Sequence, residues 1–313
     1  MVDGRPSVSR CAPLSGKATP QLRFQFDTCG YCIIRGALEP AHCAQMKAAL
    51  DHLEAADEAT AGTIFRNTTG VRGAGDGSRR AAFEDHQFVI SSPTSFSTAL
   101  HPLLDHEAVL PYLFEYMEAP AHKGDWTIRK EIGRRSSWWH RGNGPDGYRY
   151  DEGKIRTRHM NVAWMLDDQP AGSGCLLVVP GSHQHSCELS YDDYPGLSMP
   201  GSIELEGHAG DCVIFSESLL HCGDEKRRGP SRRNVYSVWD DLADPVIAAR
   251  DMAVEGLERP IDALWGSLSP RQQLLCREPC EAIAQMQAAG AAAPSVNTAV
   301  VPVPRLEIDS YDW

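Results

Sequence analysis

From Trp126 onward the chain breaks into short β-prone runs at regular spacing, and this texture constrains the fold more than any other feature. The runs are Trp126–Ile132, His159–Leu166, Cys175–Val179, Gly201–Leu205, Asp211–Phe215 and Asn234–Trp239, parted by Gly, Pro and Asp. Such spacing predicts a sandwich or barrel. The residues ahead of it have a different rhythm. Phe24–Gly36 reads as a short strand. Glu39-Pro40 opens a helix over Ala41–Glu58, with Met46, Leu50 and Leu53 at helical spacing. Ser97–Met117 is helical, interrupted near Pro102 and Pro111. A helical piece follows Asp251, with a clear helix start at Ser269-Pro270. The expected class is α+β, a jelly roll with packed N-terminal and C-terminal helices.

Three segments follow from the same reading. Residues 1–20, polar and rich in Ser and Pro, form a flexible tail. Residues 21–250 form the jelly-roll domain with its N-terminal helices. Residues 251–313 form a helical extension ending in an Ala-, Val- and Pro-rich tail. Thr60–Arg80, rich in Gly, Thr and Arg, is a loop placed to close over a site.

The bulk numbers limit the partners. Hydrophobic residues make up 42% of the 313, enough for a proper core. A net charge of −12 disfavours nucleic acid and anionic membranes as partners, since phosphate binding needs a basic face. No apolar run reaches the roughly 18 residues of a membrane span. The N-terminus lacks the charged-then-apolar layout of a secretory signal. The ten cysteines are dispersed, and Cys29/Cys32 is a CxxC with no second pair at zinc spacing. They read as free, mostly buried thiols in a reducing compartment, hence a cytoplasmic protein.

Chemistry is concentrated at His140, His221 and Arg232. Imidazole suits iron, and two His with one carboxylate on one face of a metal leave three positions open. In a jelly roll, residues this far apart in sequence can meet across the barrel. Arg232 and Arg233 are adjacent on a strand, so one points inward and the other outward. An inward arginine calls for a carboxylate, which its fork binds in bidentate fashion. Along His159–Leu166, alternation puts His159, Asn161, Ala163 and Met165 on one face. Pro180-Gly-Ser-His183 reads as a turn capping a strand, and Trp138 and Trp139 as packing residues.

These residues resemble the phytanoyl-CoA dioxygenase family, whose members are mostly Fe(II)- and 2-oxoglutarate-dependent oxygenases. The resemblance runs from Phe26 to about Trp239. It is carried by Trp139-His140, by Leu166-Asp-Asp with Ser173-Gly-Cys-Leu-Leu-Val-Val-Pro-Gly-Ser-His183, by Gly210-Asp-Cys-Val-Ile-Phe215 with His221, and by Arg232 eleven residues later. It implies a double-stranded β-helix of the cupin-like kind, iron on His140 and His221, and 2-oxoglutarate gripped by Arg232. Asn161 matches a lumen-facing position that contacts the cosubstrate, and Trp126 belongs to the same pocket. The implied reaction is hydroxylation of an unactivated C–H bond of a small-molecule metabolite by O2, with 2-oxoglutarate converted to succinate.

One position departs from the family. His-x-Asp, whose aspartate is the third iron ligand, is here His140-Arg141-Gly142. Another carboxylate can substitute: Glu217 first, Asp146 or Asp151 after it. A regular strand would hold positions 217 and 221 roughly 13 Å apart, so Glu217 requires irregular backbone. Alternatively, the gap accepts chloride, as in the related halogenases. In a third reading the metal is lost and the fold only binds a ligand. A subgroup with His-Gly-Gly and Phe-x-Glu-x-Leu-x-His is also similar to this chain.

Overall fold

The computed structural model describes residues 18–55, 87–91, 93–143, 145–151, 153–186, 189–247 and 260–276. The Thr60–Arg80 loop and the two tails lie outside the described residues, apart from the last few positions before α1.

The first element corrects the strand expected from Phe24. Pro20–Cys29 is a helix, α1. Thr19 caps it by accepting from the Leu22 amide at 3.4 Å, Pro20 occupies its first turn, and Gly30 ends it in the left-handed region at φ 83°. Its Phe26 is buried and stacks on Tyr116 with ring centroids 4.2 Å apart. Only Tyr31–Ile34 is a strand, β1. Helix α2 (Pro40–Glu54) buries Cys43, Met46, Leu50 and Leu53, the face its spacing predicts. The proline-interrupted region is a 3-10 helix, Thr98–Leu104, followed by α3, Leu110–Tyr116. Helix α4, Pro270–Leu275, starts with a capping box in which Ser269 and Gln272 satisfy each other's backbone amides.

The remaining strands are β2 (Gln87–Ser91), β3 (Pro120–Lys130), β4 (Tyr148–Asp151), β5 (Lys154–Thr157), β6 (His159–Met165), β7 (Leu176–Val178), β8 (Ile203–Leu205), β9 (Cys212–Ser216), β10 (His221–Gly223) and β11 (Arg232–Asp241). A six-stranded sheet has the order β1-β9-β6-β11-β3-β2, a three-stranded sheet the order β10-β7-β8, and β4 pairs with β5. All the strand pairings are antiparallel.

Alternation along the large sheet builds two separate cores. Val162, Trp164, Cys212, Ile214 and Val235 face the helices and pack with Phe26, Met46, Leu50 and Leu113. Ala163, Met165, Val213, Phe215, Ile128 and Tyr236 face the other way, toward Leu176, Val178 and Leu205 of the small sheet. The space between the sheets is the lumen of a jelly roll. The expected α+β class and jelly-roll architecture are observed.

Seven cysteines fall in the described residues; all are free thiols and all except Cys29 are buried. Burial pushes the Cys32 thiol up to about 12, so it is a packing residue. Among the described residues no helix is long and apolar enough to cross a membrane.

Candidate metal centre

His140 and His221 meet because the backbone pairs them directly. Each amide donates to the other residue's carbonyl at 3.0 Å, an antiparallel bridge between the segment after β3 and the start of β10. Opposite residues in such a pair project side chains to the same face. The ring centroids are accordingly 4.3 Å apart.

The two rings are also oriented alike. His140 Nδ1 donates to the Trp138 carbonyl at 2.9 Å, and His221 Nδ1 to the Leu219 carbonyl at 2.7 Å. With the proton held on Nδ1, the lone pair sits on Nε2, the tautomer a metal ligand requires. Burial lowers the pKa of both rings, His221 most, with the neighbouring His140 adding to the effect. Both imidazoles are therefore kept neutral.

A carboxylate reaches the same point from Glu217. The irregular backbone it requires is present: after β9 the chain turns, with the Leu219 amide donating to the Ser216 carbonyl at 2.9 Å. The turn folds four residues into the space opposite two. While His221 faces His140, the Glu217 carbonyl accepts from the Gly142 amide at 3.0 Å. One ligand atom from each of His140, Glu217 and His221 lies within 4.8 Å of the others, and Glu217 Oε1 is 4.0 Å from His221 Nε2. Burial, with Asp240 adding to it, raises the Glu217 pKa to about 8. A buried carboxyl of this kind ionises readily only if a cation joins it.

Gly142 explains how that side chain fits. A Cβ at position 142 would lie 2.5 Å from Glu217 Cγ and Oε1. The glutamate carboxylate occupies the side of the site that position 142 faces. The donor set thus fits a divalent metal of the imidazole-and-carboxylate class.

The other sequence candidates divide. Asn161 lies on the lumen face of β6 and donates from Nδ2 to Glu217 Oε2, which orients the carboxylate. Trp126 lines the same cavity and stacks on Tyr236 at 5.7 Å. Arg232 and Arg233 obey the alternation. Arg233 faces the helices and pairs with Asp51 and Glu54, whereas Arg232 is buried and donates to the Gly174 carbonyl. Nη2 of Arg232 is the atom that meets Gly174, while its buried Nε makes no hydrogen bond among the described residues. Asp146 is exposed and bound to Arg158 at 2.9 Å, and it does not join the group formed by the histidines and Glu217. Asp151 belongs to β4, and its side chain lies outside the described residues. Trp139 is buried and donates to the Gly196 carbonyl at 3.1 Å, as a packing residue should, but Trp138 is exposed.

One lining residue went unnoticed in the sequence. Lys130, three percent exposed, ends β3 inside the lumen. The signal was available: Trp126, Ile128 and Lys130 share one face of a strand by parity.

The sequence matches the phytanoyl-CoA dioxygenase (PhyH) family model over residues 26–234. No curated protein matches it. Among solved structures, HygX from Streptomyces hygroscopicus with nickel and 2-oxoglutarate bound is similar at a TM-score of 0.58 and 15% identity, covering 71% of this chain and 87% of that one. The non-heme alpha ketoglutarate dependent epimerase SnoN from nogalamycin biosynthesis is similar at 0.51 and 19% identity, covering 71% and 80%. Both likenesses are of fold. The family match spans two thirds of the chain and coincides with the jelly roll that carries His140, Glu217 and His221. The chain belongs to the phytanoyl-CoA dioxygenase family, a family of iron- and 2-oxoglutarate-dependent oxygenases.

Proposed function

We propose that the protein hydroxylates an unactivated C–H bond of a small-molecule metabolite, consuming O2 and converting 2-oxoglutarate to succinate and CO2. The observation that carries this reading is the convergence of His140, Glu217 and His221 on one point. Two imidazoles and a carboxylate would hold Fe(II) and leave positions for a bidentate keto acid and for O2. Bound together, the metal and the keto acid supply the oxidising power.

The chain's own residues then position and shield. The Nδ1 bonds of both histidines fix the rings, and Asn161 fixes the glutamate. Trp126, Tyr236 and Phe215 make the wall apolar, which keeps water from the reacting centre. Arg232 supplies buried positive charge at the end of the lumen where a dicarboxylate would point. A small-molecule substrate is supported by HygX and SnoN, which have been crystallised with hygromycin B and with nogalamycin RO. Glu217 lies where a chloride would have to bind beside Gly142, which favours hydroxylation over halogenation.

The test is anaerobic calorimetry with Fe(II), followed by an aerobic assay of succinate. The wild type should bind the metal, then 2-oxoglutarate, and release succinate on aeration whether or not chloride is present. His221→Ala should bind neither. A wild type that binds no metal would leave a ligand-binding jelly roll, and a strict chloride requirement would restore the halogenase reading.

A further inference from the structure

His159 and Asp240 form a pair that the metal centre leaves unused. They are direct cross-strand partners on β6 and β11. By parity they continue the row of Asn161, Ala163 and Tyr236, which faces the lumen. Along β11 Asp240 stands eight residues past Arg232, roughly 26 Å on an extended strand, and Tyr236 of the cavity wall lies midway. Asn161, two residues past His159, donates to Glu217, and the His159 carbonyl accepts from the Glu217 amide at 3.1 Å. The pair therefore lies just beyond the candidate ligands, on the side away from Arg232. With a dicarboxylate filling the Arg232 side, the C–H bond to be oxidised has to approach from the side of His159.

The polar atoms of the pair leave one end open. Asp240 is two percent exposed, and its Oδ1 accepts from His159 Nδ1. Its buried Oδ2 takes part in no hydrogen bond; the Lys123 ammonium, at 3.9 Å, is an ion-pair contact beyond that reach. Asp240 thus holds the proton on Nδ1, which puts the lone pair of the neutral ring on Nε2. His159 does not join the group formed by His140, Glu217 and His221. Among the described residues no hydrogen bond or ion pair uses its Nε2, and 13% of its side chain is exposed. The open atom is an acceptor beside the metal centre, and it calls for a donor.

We infer that His159 Nε2 accepts a hydrogen bond from a hydroxyl or amino group of the substrate. Asp240 is the positioning residue that fixes its tautomer. The substrate is then an alcohol, polyol or amine with its donor near the oxidised carbon, rather than a plain acyl chain. This inference rests on the proposed oxygenase reading and names the substrate class for that site.

The experiment uses the protein loaded with Co(II) and 2-oxoglutarate, with the Zn(II) form as diamagnetic control. The probes are cyclohexanol, cyclohexylamine and cyclohexanone, which share a ring and differ in the donor. Proton relaxation of each probe by Co(II) gives its affinity and its nearness to the metal. Cyclohexanol or cyclohexylamine should bind about 3- to 10-fold more tightly than cyclohexanone, the net effect of one hydrogen bond, and the tighter of the two identifies the donor. His159→Phe should abolish the preference with Co(II) affinity unchanged, since only the backbone of His159 touches Glu217. Asp240→Asn should weaken it, because an amide can accept or donate at Nδ1; nitrogen NMR should show the Nδ1–H tautomer in the wild type and a mixture in the variant. If His159→Phe melts without cooperativity, the shift of the wild-type His159 Nε2 resonance on adding cyclohexanol to the Zn(II) form reads the same contact. Equal affinity for the three probes, no probe near the metal, or a preference that survives in His159→Phe overturns the inference. A wild type that binds neither metal nor 2-oxoglutarate defeats the oxygenase reading first, and the inference with it.

Discussion

Replacing Gly142 by alanine should expel Glu217 from the metal centre, and the size of the effect can be worked from the geometry. The added Cβ would sit 2.5 Å from Glu217 Cγ and Oε1 and 2.9 Å from Cδ. Carbon atoms rest about 3.5–4.0 Å apart, so the glutamate must withdraw by about 1 Å or more. Metal ligands tolerate displacements of only about 0.2 Å. The backbone at Gly142 does not lie in the left-handed region, so alanine tests crowding alone. The fold should lose about 1–3 kcal/mol at most, since the glutamate end can swing away. Metal binding should suffer more. Losing an outer-shell partner costs about 10–100-fold in affinity, and losing a ligand should cost at least that. Calorimetry with Fe(II) or Co(II), beside the melting temperature of the metal-free protein, separates the two effects. Gly142→Asp is the control: it displaces Glu217 equally but brings its own carboxylate, so its metal affinity should exceed that of Gly142→Ala, most clearly when paired with Glu217→Ala. Wild-type metal affinity in Gly142→Ala would refute the reasoning, because a displaced Glu217 would then have been no ligand.

Two further outcomes concern stability. Burial lowers the His183 pKa to about 4 from an ordinary 6.5, so the unfolded chain binds the extra proton between those values. His183 should contribute about 3 kcal/mol to the loss of stability between pH 6.5 and 4, so denaturant melts of His183→Gln should decline by that much less over the same window. Asp244 is buried and pairs with Arg149 at 2.6 Å and Arg158 at 3.0 Å, which leaves Arg158 dependent on it. Asp244→Ala should cost about 3–5 kcal/mol in urea melts, and a loss under 1 kcal/mol would show that Asp146 suffices for Arg158.

Much of the lumen was legible because strand parity is a strong signal. Asn161, Trp126 and the opposite facings of Arg232 and Arg233 all follow from it. The hydrophobic pattern also located β6, β7, β9 and β11 to within a few residues. The misses have separate physical causes. The helix α1 was hidden because Phe24 and Phe26 are β-prone, and its real signals were the Thr19-Pro20 start and the Gly30 stop. β10 is three residues long and shows no period. β3 begins at Pro120, six residues ahead of the apolar run, because its first half is held by pairing with β11 rather than by its own composition. Glu217 could be nominated from sequence but not placed, since its reach depends on the turn at Ser216–Leu219. The bond from Arg232 to the Gly174 carbonyl was not legible either, because nothing local to the arginine reveals it.

The steric reciprocity between positions 142 and 217 has a consequence for reading other genomes. Neither residue can change freely alone: an aspartate at the first position collides with a glutamate at the second, and a glycine at the first without that glutamate leaves two imidazoles and no acid. The pair should therefore mutate jointly across descendants. Screens that count an absent aspartate two places after the first histidine as the mark of a dead enzyme will misfile such chains, unless they also inspect the residue four places before the second.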